Sequence, residues 1–173
     1  YTAFYTLSLH DALPIYPSIV FEHFGLWAAD PNLHVRRWVS EGSRPRLPWG
    51  LRLHALVADP SPTLPLLRTL QDDASGYVRR SVANHLNDIA KDHPALVAQW
   101  LRDHLPNASK ERRALLKHAS RTLIKAADPA VLKAWGLGAA FKGDAELSLA
   151  PQRVTLGGEV TLTLRLRSTS KKP

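Results

Sequence analysis

Three stretches of this chain hold residue types suited to chemistry. The first, VRRSVANHLNDIAKD, sets Val78, Val82, Leu86 and Ile89 on one helical stripe, with Ser81, Asn84 and Asp88 along its edge. Asp88 therefore projects near the core boundary, where Arg80, Asn84 and Lys91 can keep its carboxylate ionised and available to act on a proton or a positive charge. The plainer alternative is a helical aspartate paired with Lys91 three residues on. The second stretch, WVSEGSRPRLPWG, crowds Trp38, Glu41, Arg44, Arg46 and Trp49 into one connection. Its two prolines make that loop stiff as well as cationic and aromatic, more than a joint between helices requires.

The third stretch is a charged face. Arg113, Lys117, Arg121 and Lys125 recur every four residues, opposite Leu115, Leu116, Ala119 and Leu123. Between Arg102 and Lys125, seven basic residues stand against two acidic ones. Solvated helical faces normally mix signs, so a nearly one-signed face suits a path of phosphates. The whole chain agrees, with 23 Lys+Arg against 15 Asp+Glu, a net charge of +8 and a pI near 10.1. Such a balance points to a polyanionic partner.

Other chemistries are excluded by what is missing. There is no cysteine, so no disulfide framework and no thiolate zinc site. The 8 histidines show no metal-ligand spacing, and neither a glycine-rich phosphate loop nor a G-x-S-x-G turn occurs. No metal and no cofactor are expected. No apolar run is long enough to span a bilayer and no signal-peptide pattern opens the chain, so a soluble, cytoplasmic, monomeric protein is expected.

The elements that must position these residues are mostly helical. Segments of 3.6-residue periodicity follow one another from Tyr16 to about residue 142. Asp30 is expected as an N-cap with Pro31 in the first turn, and that helix ends at Gly42. SKERRALLKHASRTLIKAAD reads as a single helix. Asp30-x4-Val-Arg-Arg-x-Val returns as Asp73-x4-Val-Arg-Arg-x-Val, 43 residues later, which is within the ~40 to 47 residue period of HEAT-type repeats. Such repeats stack into a solenoid with a concave binding surface. After Gly143 the texture turns to alternation, with Leu147 and Leu149, then Val160, Leu162, Leu164 and Leu166 on one face; this reads as the start of a β domain that residues 143–173 leave truncated.

The first fifteen residues are read differently. TLSLHDALPI is what a common sequencing-adapter string encodes in one frame, so residues 1–15 are expected to be foreign and natural sequence to begin near Tyr16. The competing reading is a short amphipathic helix with His10 and Asp11 as a functional pair.

WVSEGSRPRLPWG followed by YVRRSVANHLNDIAKDHP resembles the AlkC branch of the HEAT-like alkylpurine DNA glycosylases, from about Tyr16 to the C-terminus. The resemblance implies an all-α HEAT-like repeat solenoid over residues 16–142, followed by an immunoglobulin-like β domain. It implies a DNA repair glycosylase that removes cationic N3-alkylated bases, 3-methyladenine and 3-methylcytosine, from double-stranded DNA without cutting the strand. By motif position it makes Asp88 and Glu41 catalytic and Trp49 an aromatic site residue, with Trp38 beside it. A further acidic residue of the family falls within residues 1–15. A base alkylated at N3 is already cationic and leaves without a general acid; the sugar then needs nearby negative charge and a positioned water, which Asp88 and Glu41 suit. Trp49 suits stacking on the cation. Arg44, Arg46, Arg80, Lys91, Arg113, Lys117 and Arg121 are expected on phosphates. Two alternatives are a helical-repeat DNA-binding protein without glycosylase activity and a protein-interaction adaptor.

Overall fold

The computed structural model describes residues 10–138 and 141–169. The chain divides into two units, one through Leu137 and one from Gly138.

The first unit is helical. Helix α1 spans Pro17–Trp27, with Pro17 in the first turn and Val20 and Phe24 buried. Helix α2 covers Leu33–Gly42, α3 His54–Ala58, and α4 Leu64–Leu70 after a short 3-10 turn at Ser61–Thr63. Helix α5, Gly76–Ile89, is the centre: it packs on α2, α4, α6 (Pro94–His104) and α7 (Lys110–Ala119). Helices α8, Arg121–Lys125, and α9, Pro129–Ala134, complete the unit, with α9 against α6. The stripe expected on α5 is its buried face, with Val78, Val82 and Leu86 fully buried and Ile89 nearly so. Phe24, Val39, Leu67, Leu101 and Leu116 join them in one core. Truncating one such residue to alanine costs about 2–5 kcal/mol, because the cavity adds to the lost burial.

The 43-residue repeat is carried by hydrogen bonds as well as by letters. Asp30 accepts from the Asn32 amide at 2.7 Å, and Asp73 accepts from the Ser75 amide at 2.8 Å. Asn32 and Ser75 then cap their helices through the amides of His34 and Tyr77. Arg36 donates to the carbonyls of Asp30 and Pro31, and Arg79 to those of Asp73 and Ala74. The cap of α2 is thus Asn32, not Asp30: the Asp30 carboxylate closes the turn before the helix, which moves the start two residues on and leaves Pro31 outside. Arg36 also reaches the second unit of the repeat, with Nε 2.5 Å and Nη2 3.0 Å from the two oxygens of Asp73.

The expected long helix after Ser109 is broken at Ser120. Its hydroxyl turns back to the Leu116 carbonyl at 2.8 Å and accepts from Trp135 Nε1 at 3.0 Å, a local bond that competes with continuing the helix.

The second unit holds an antiparallel pair, β1 Gly143–Ala150 and β2 Thr161–Ser168. Leu147 faces Leu164 and Leu149 faces Leu162, so the apolar residues do share one face as their alternation predicts; that face is exposed. Gly143, at φ +152°, is required: a Cβ there would run into the Arg167 carbonyl.

Residues 1–9 of the segment read as adapter translation lie outside the described residues. His10 and Leu13, from the same segment, are buried in the helical unit, and His10 lies 3.0 Å from the Gly42 carbonyl and 2.5 Å from that of Leu51.

Candidate active site and nucleic-acid interface

Glu41 sits in the last turn of α2, Arg44 in the turn that follows, and Asp88 in the last turn of α5. Because α2 packs on α5, residues 47 positions apart in sequence come within reach of one side chain. Arg44 joins them. Its Nε and Nη2 approach Oδ2 of Asp88 at 2.8 and 2.7 Å, and its Nη1 donates to Oε1 of Glu41 at 2.7 Å. The three side chains are 8%, 4% and 13% exposed for Arg44, Asp88 and Glu41, so this is a buried ion bridge rather than a surface pair.

The remaining oxygens are occupied as well. Ser81 donates to Glu41 Oε2 at 2.6 Å, and Arg37 Nη2 lies 3.2 Å from the same oxygen while its guanidinium rests 4.1 Å from the centre of the Tyr77 ring. Lys91 donates to Asp88 Oδ1 at 3.0 Å from a half-exposed position. Below the bridge, His85 is fully buried and donates Nδ1–H to the Ser40 carbonyl at 2.9 Å. Burial pushes its imidazole down to about 3, with Arg44 pushing the same way, so His85 is neutral at pH 7.

Beside this cluster a groove of about 610 Å³ runs between α5 and α7; Arg79, Arg80, Lys110, Lys117, His118 and Arg121 line it together with the acidic Glu111 and the apolar Ala83, Ala114 and Leu115. His118 crosses it. Arg80 can only donate, so it donates to Nδ1 at 3.0 Å, which leaves Nε2–H to donate to Asn84 Oδ1 at 2.9 Å. Burial, then the charges of Arg121 and Arg80, lower the His118 pKa and favour that neutral form. Arg121 is lowered too, first by burial and then by Arg44 and Arg80, against a raising field from Asp88. Arg121 therefore lies within the field of both the groove and the carboxylates.

The structure thus gathers Glu41, Asp88 and Lys91 in one cluster and Arg80, Lys117 and Arg121 along the groove, and it redistributes their roles. Arg44 was expected on a phosphate; it is buried between two carboxylates and presents no free fork to DNA. Arg46 was expected there too; it closes a two-point bond on Asp92. Arg80 and Asn84, expected to help keep Asp88 ionised, are hydrogen-bonded to His118. Arg113 is exposed and lies 5.9 Å from the centre of the Trp135 ring, outside the groove wall. Trp38 is half-buried on α2, whereas Trp49 stands 99% exposed at φ 66°, so its ring is not packed against the carboxylates. Arg37 and Ser81, which complete the Glu41 site, were not foreseen as site residues; their signal was the repeat itself, which lays α2 along α5. Among the described residues no group of three or more His, Asp or Glu could hold a metal ion.

No family model matches the sequence. The chain is 44% identical over 147 residues to the uncharacterized protein YhaZ of Bacillus subtilis (strain 168), a match covering 82% of this chain and 40% of that protein. It is 38% identical to the Pseudomonas fluorescens alkylpurine DNA glycosylase AlkC, solved bound to DNA containing an abasic site analog, with a TM-score of 0.88 over 95% of this chain and 46% of that one. The chain thus spans less than half the length of either relative. Over 95% of its own length the chain is similar in fold to that alkylpurine DNA glycosylase, at 38% sequence identity.

Proposed function

We propose that this protein is a DNA repair glycosylase that hydrolyses the N-glycosidic bond of cationic N3-alkylated bases, 3-methyladenine and 3-methylcytosine, in duplex DNA. The observation that carries the reading is the bridging of buried Asp88 and partly buried Glu41 by one guanidinium, on a helix that also walls a groove lined chiefly by basic side chains. The solved relative bound to DNA with an abasic site analog, the product side of such a reaction, supports it.

The chemistry follows from charge. A base alkylated at N3 departs as a neutral molecule, so the barrier lies in the positive charge that grows on the sugar. Asp88 and Glu41 place negative charge there in a water-poor site, and a carboxylate oxygen can orient the attacking water. Arg80, Lys117 and Arg121 supply the phosphate contacts that hold the duplex. Trp49, exposed and on a stiff loop, is free to stack on a base or sugar. Lys91 is salt-bridged to Asp88 and donates rather than attacks, so base release leaves the strand uncut until alkali is added. The exposed apolar face of the β1–β2 hairpin fits the start of an immunoglobulin-like domain.

The test is release of free base from N-methylated duplex DNA, read by chromatography, with strand cleavage scored before and after alkali. Release of 3-methyladenine with an intact strand is expected, and Asp88→Asn should slow it at least about tenfold with little change in DNA affinity. Normal duplex binding without base release would instead favour a non-catalytic DNA-binding protein. The saturation of both carboxylates by cations is the observation on that side.

A further inference from the structure

We infer that Arg44 is a positioning residue for the proposed reaction: a buried guanidinium that fixes the separation and orientation of Glu41 and Asp88, and touches no DNA. The inference rests on the glycosylase reading and adds a residue to it.

The geometry has three parts. First, one planar group spans both carboxylates, with two of its nitrogens on Asp88 Oδ2 and the third on Glu41 Oε1, at 2.7 to 2.8 Å. A guanidinium can bridge two acids held on different helices because its donors lie in a fixed fork; an ammonium of the same charge has no such plane. Second, the bridge is divided cleanly. Arg44 takes Oδ2 of Asp88 and leaves Oδ1 to Lys91, whose side chain is 44% exposed against 8% for Arg44. The outward oxygen therefore has the partner that can move aside for a nucleoside, while the inward oxygen has the one that cannot. Third, the bridge is anchored from below. The Arg44 amide donates to the Glu41 carbonyl at 3.2 Å, and the Leu53 amide to the carbonyl of Pro45 at 3.1 Å, so the turn carrying Arg44 is tied at both sides. His85, fully buried and bonded to the Ser40 carbonyl, is neutral and adds no competing charge.

Two isolated carboxylates this close to each other would repel and turn apart. With Arg44 between them, each is aimed by a bond that exists before substrate arrives, which is the condition for an electrostatic site that costs no reorganisation during reaction. Arg37, Ser81 and Lys91 hold the other oxygens, but each reaches only one of the two acids.

The experiment uses the full chain with wild type, Arg44→Lys and Arg44→Gln. It measures single-turnover base release from methylated duplex, affinity for a duplex with an abasic analog, and thermal melting. Arg44→Lys is expected to melt cooperatively, to bind the abasic duplex within about twofold of wild type, and to release base at least about tenfold more slowly. Arg44→Gln is expected to be slower still, with part of its rate restored by added guanidinium and none by ammonium. Wild-type release rates in Arg44→Lys, a loss of abasic-duplex affinity that matches the loss of rate, or an Arg44→Lys chain without a melting transition would each overturn the inference. A wild type that releases no base would remove the glycosylase reading, and this inference with it; an active wild type beside an equally active Arg44→Lys removes the inference alone.

Discussion

Arg46 and Asp92 close on each other in a two-point fork, Nε to Oδ2 at 2.7 Å and Nη2 to Oδ1 at 2.6 Å, across 46 residues of sequence. The pair ties the loop that carries Trp49 to the turn after α5, just beyond Lys91. Both side chains are about one-fifth exposed, so solvent screens them and the coupling is expected at about 0.5–1 kcal/mol in a double-mutant cycle of Arg46→Ala and Asp92→Ala followed by urea denaturation. Base release should fall more than stability does, because a loosened loop no longer presents Trp49.

Acid should weaken the fold through Asp73 and Asp92. Burial raises the Asp73 carboxyl, but the bonds from Arg36 and the Ser75 amide and the charges of Arg36 and Arg79 outweigh it, leaving it below 3.8. Asp92 is held below 3.8 chiefly by its bond from Arg46. A carboxyl depressed in the fold stabilises above its unfolded value, and that stability is lost as pH falls through the folded one. Urea midpoints measured across this range should fall less steeply in Arg36→Gln than in wild type.

His85 acts over a higher window. Its folded value of about 3 lies far below the ordinary 6.5, so the unfolded chain takes up a proton that the fold excludes. The stability this gives is complete above the unfolded value and declines as pH falls from there toward the folded one, by up to ~1.4 kcal/mol per unit. His85→Gln, which keeps an amide donor for the Ser40 carbonyl and cannot titrate, should flatten that part of the curve by about one proton.

The groove should behave as a phosphate track. Lys117→Ala, at an exposed wall position, is expected to weaken binding to every duplex sequence alike and to lower the salt slope of binding by about one. Arg113→Ala, outside the wall, should change that slope little; affinity titrations at several salt concentrations measure both.

Much of this was legible in the residues. The α5 stripe, the 43-residue repeat and the apolar face of the hairpin came from periodicity, because burial imposes periods of 3.6 and 2 on a sequence. The proximity of Glu41 and Asp88 came only from the motif resemblance. The fate of each arginine was not legible at all. Arg44, Arg46 and Arg80 look alike in a string, and whether a guanidinium meets phosphate, carboxylate or imidazole depends on which helix lies opposite. The break at Ser120 was hidden for the same reason, since Trp135 reaches its hydroxyl from fifteen residues away.

Asp73 has two employers. One oxygen starts its own helix through the Ser75 amide, and both are gripped by Arg36 from the preceding repeat. The start of α5 is therefore a shared joint: loss of order in α2 would loosen the first turn of the helix whose far end carries Asp88. A change near Arg36 should reach the proposed reaction centre without touching it, as in a row of tiles in which each edge is cut to the one before.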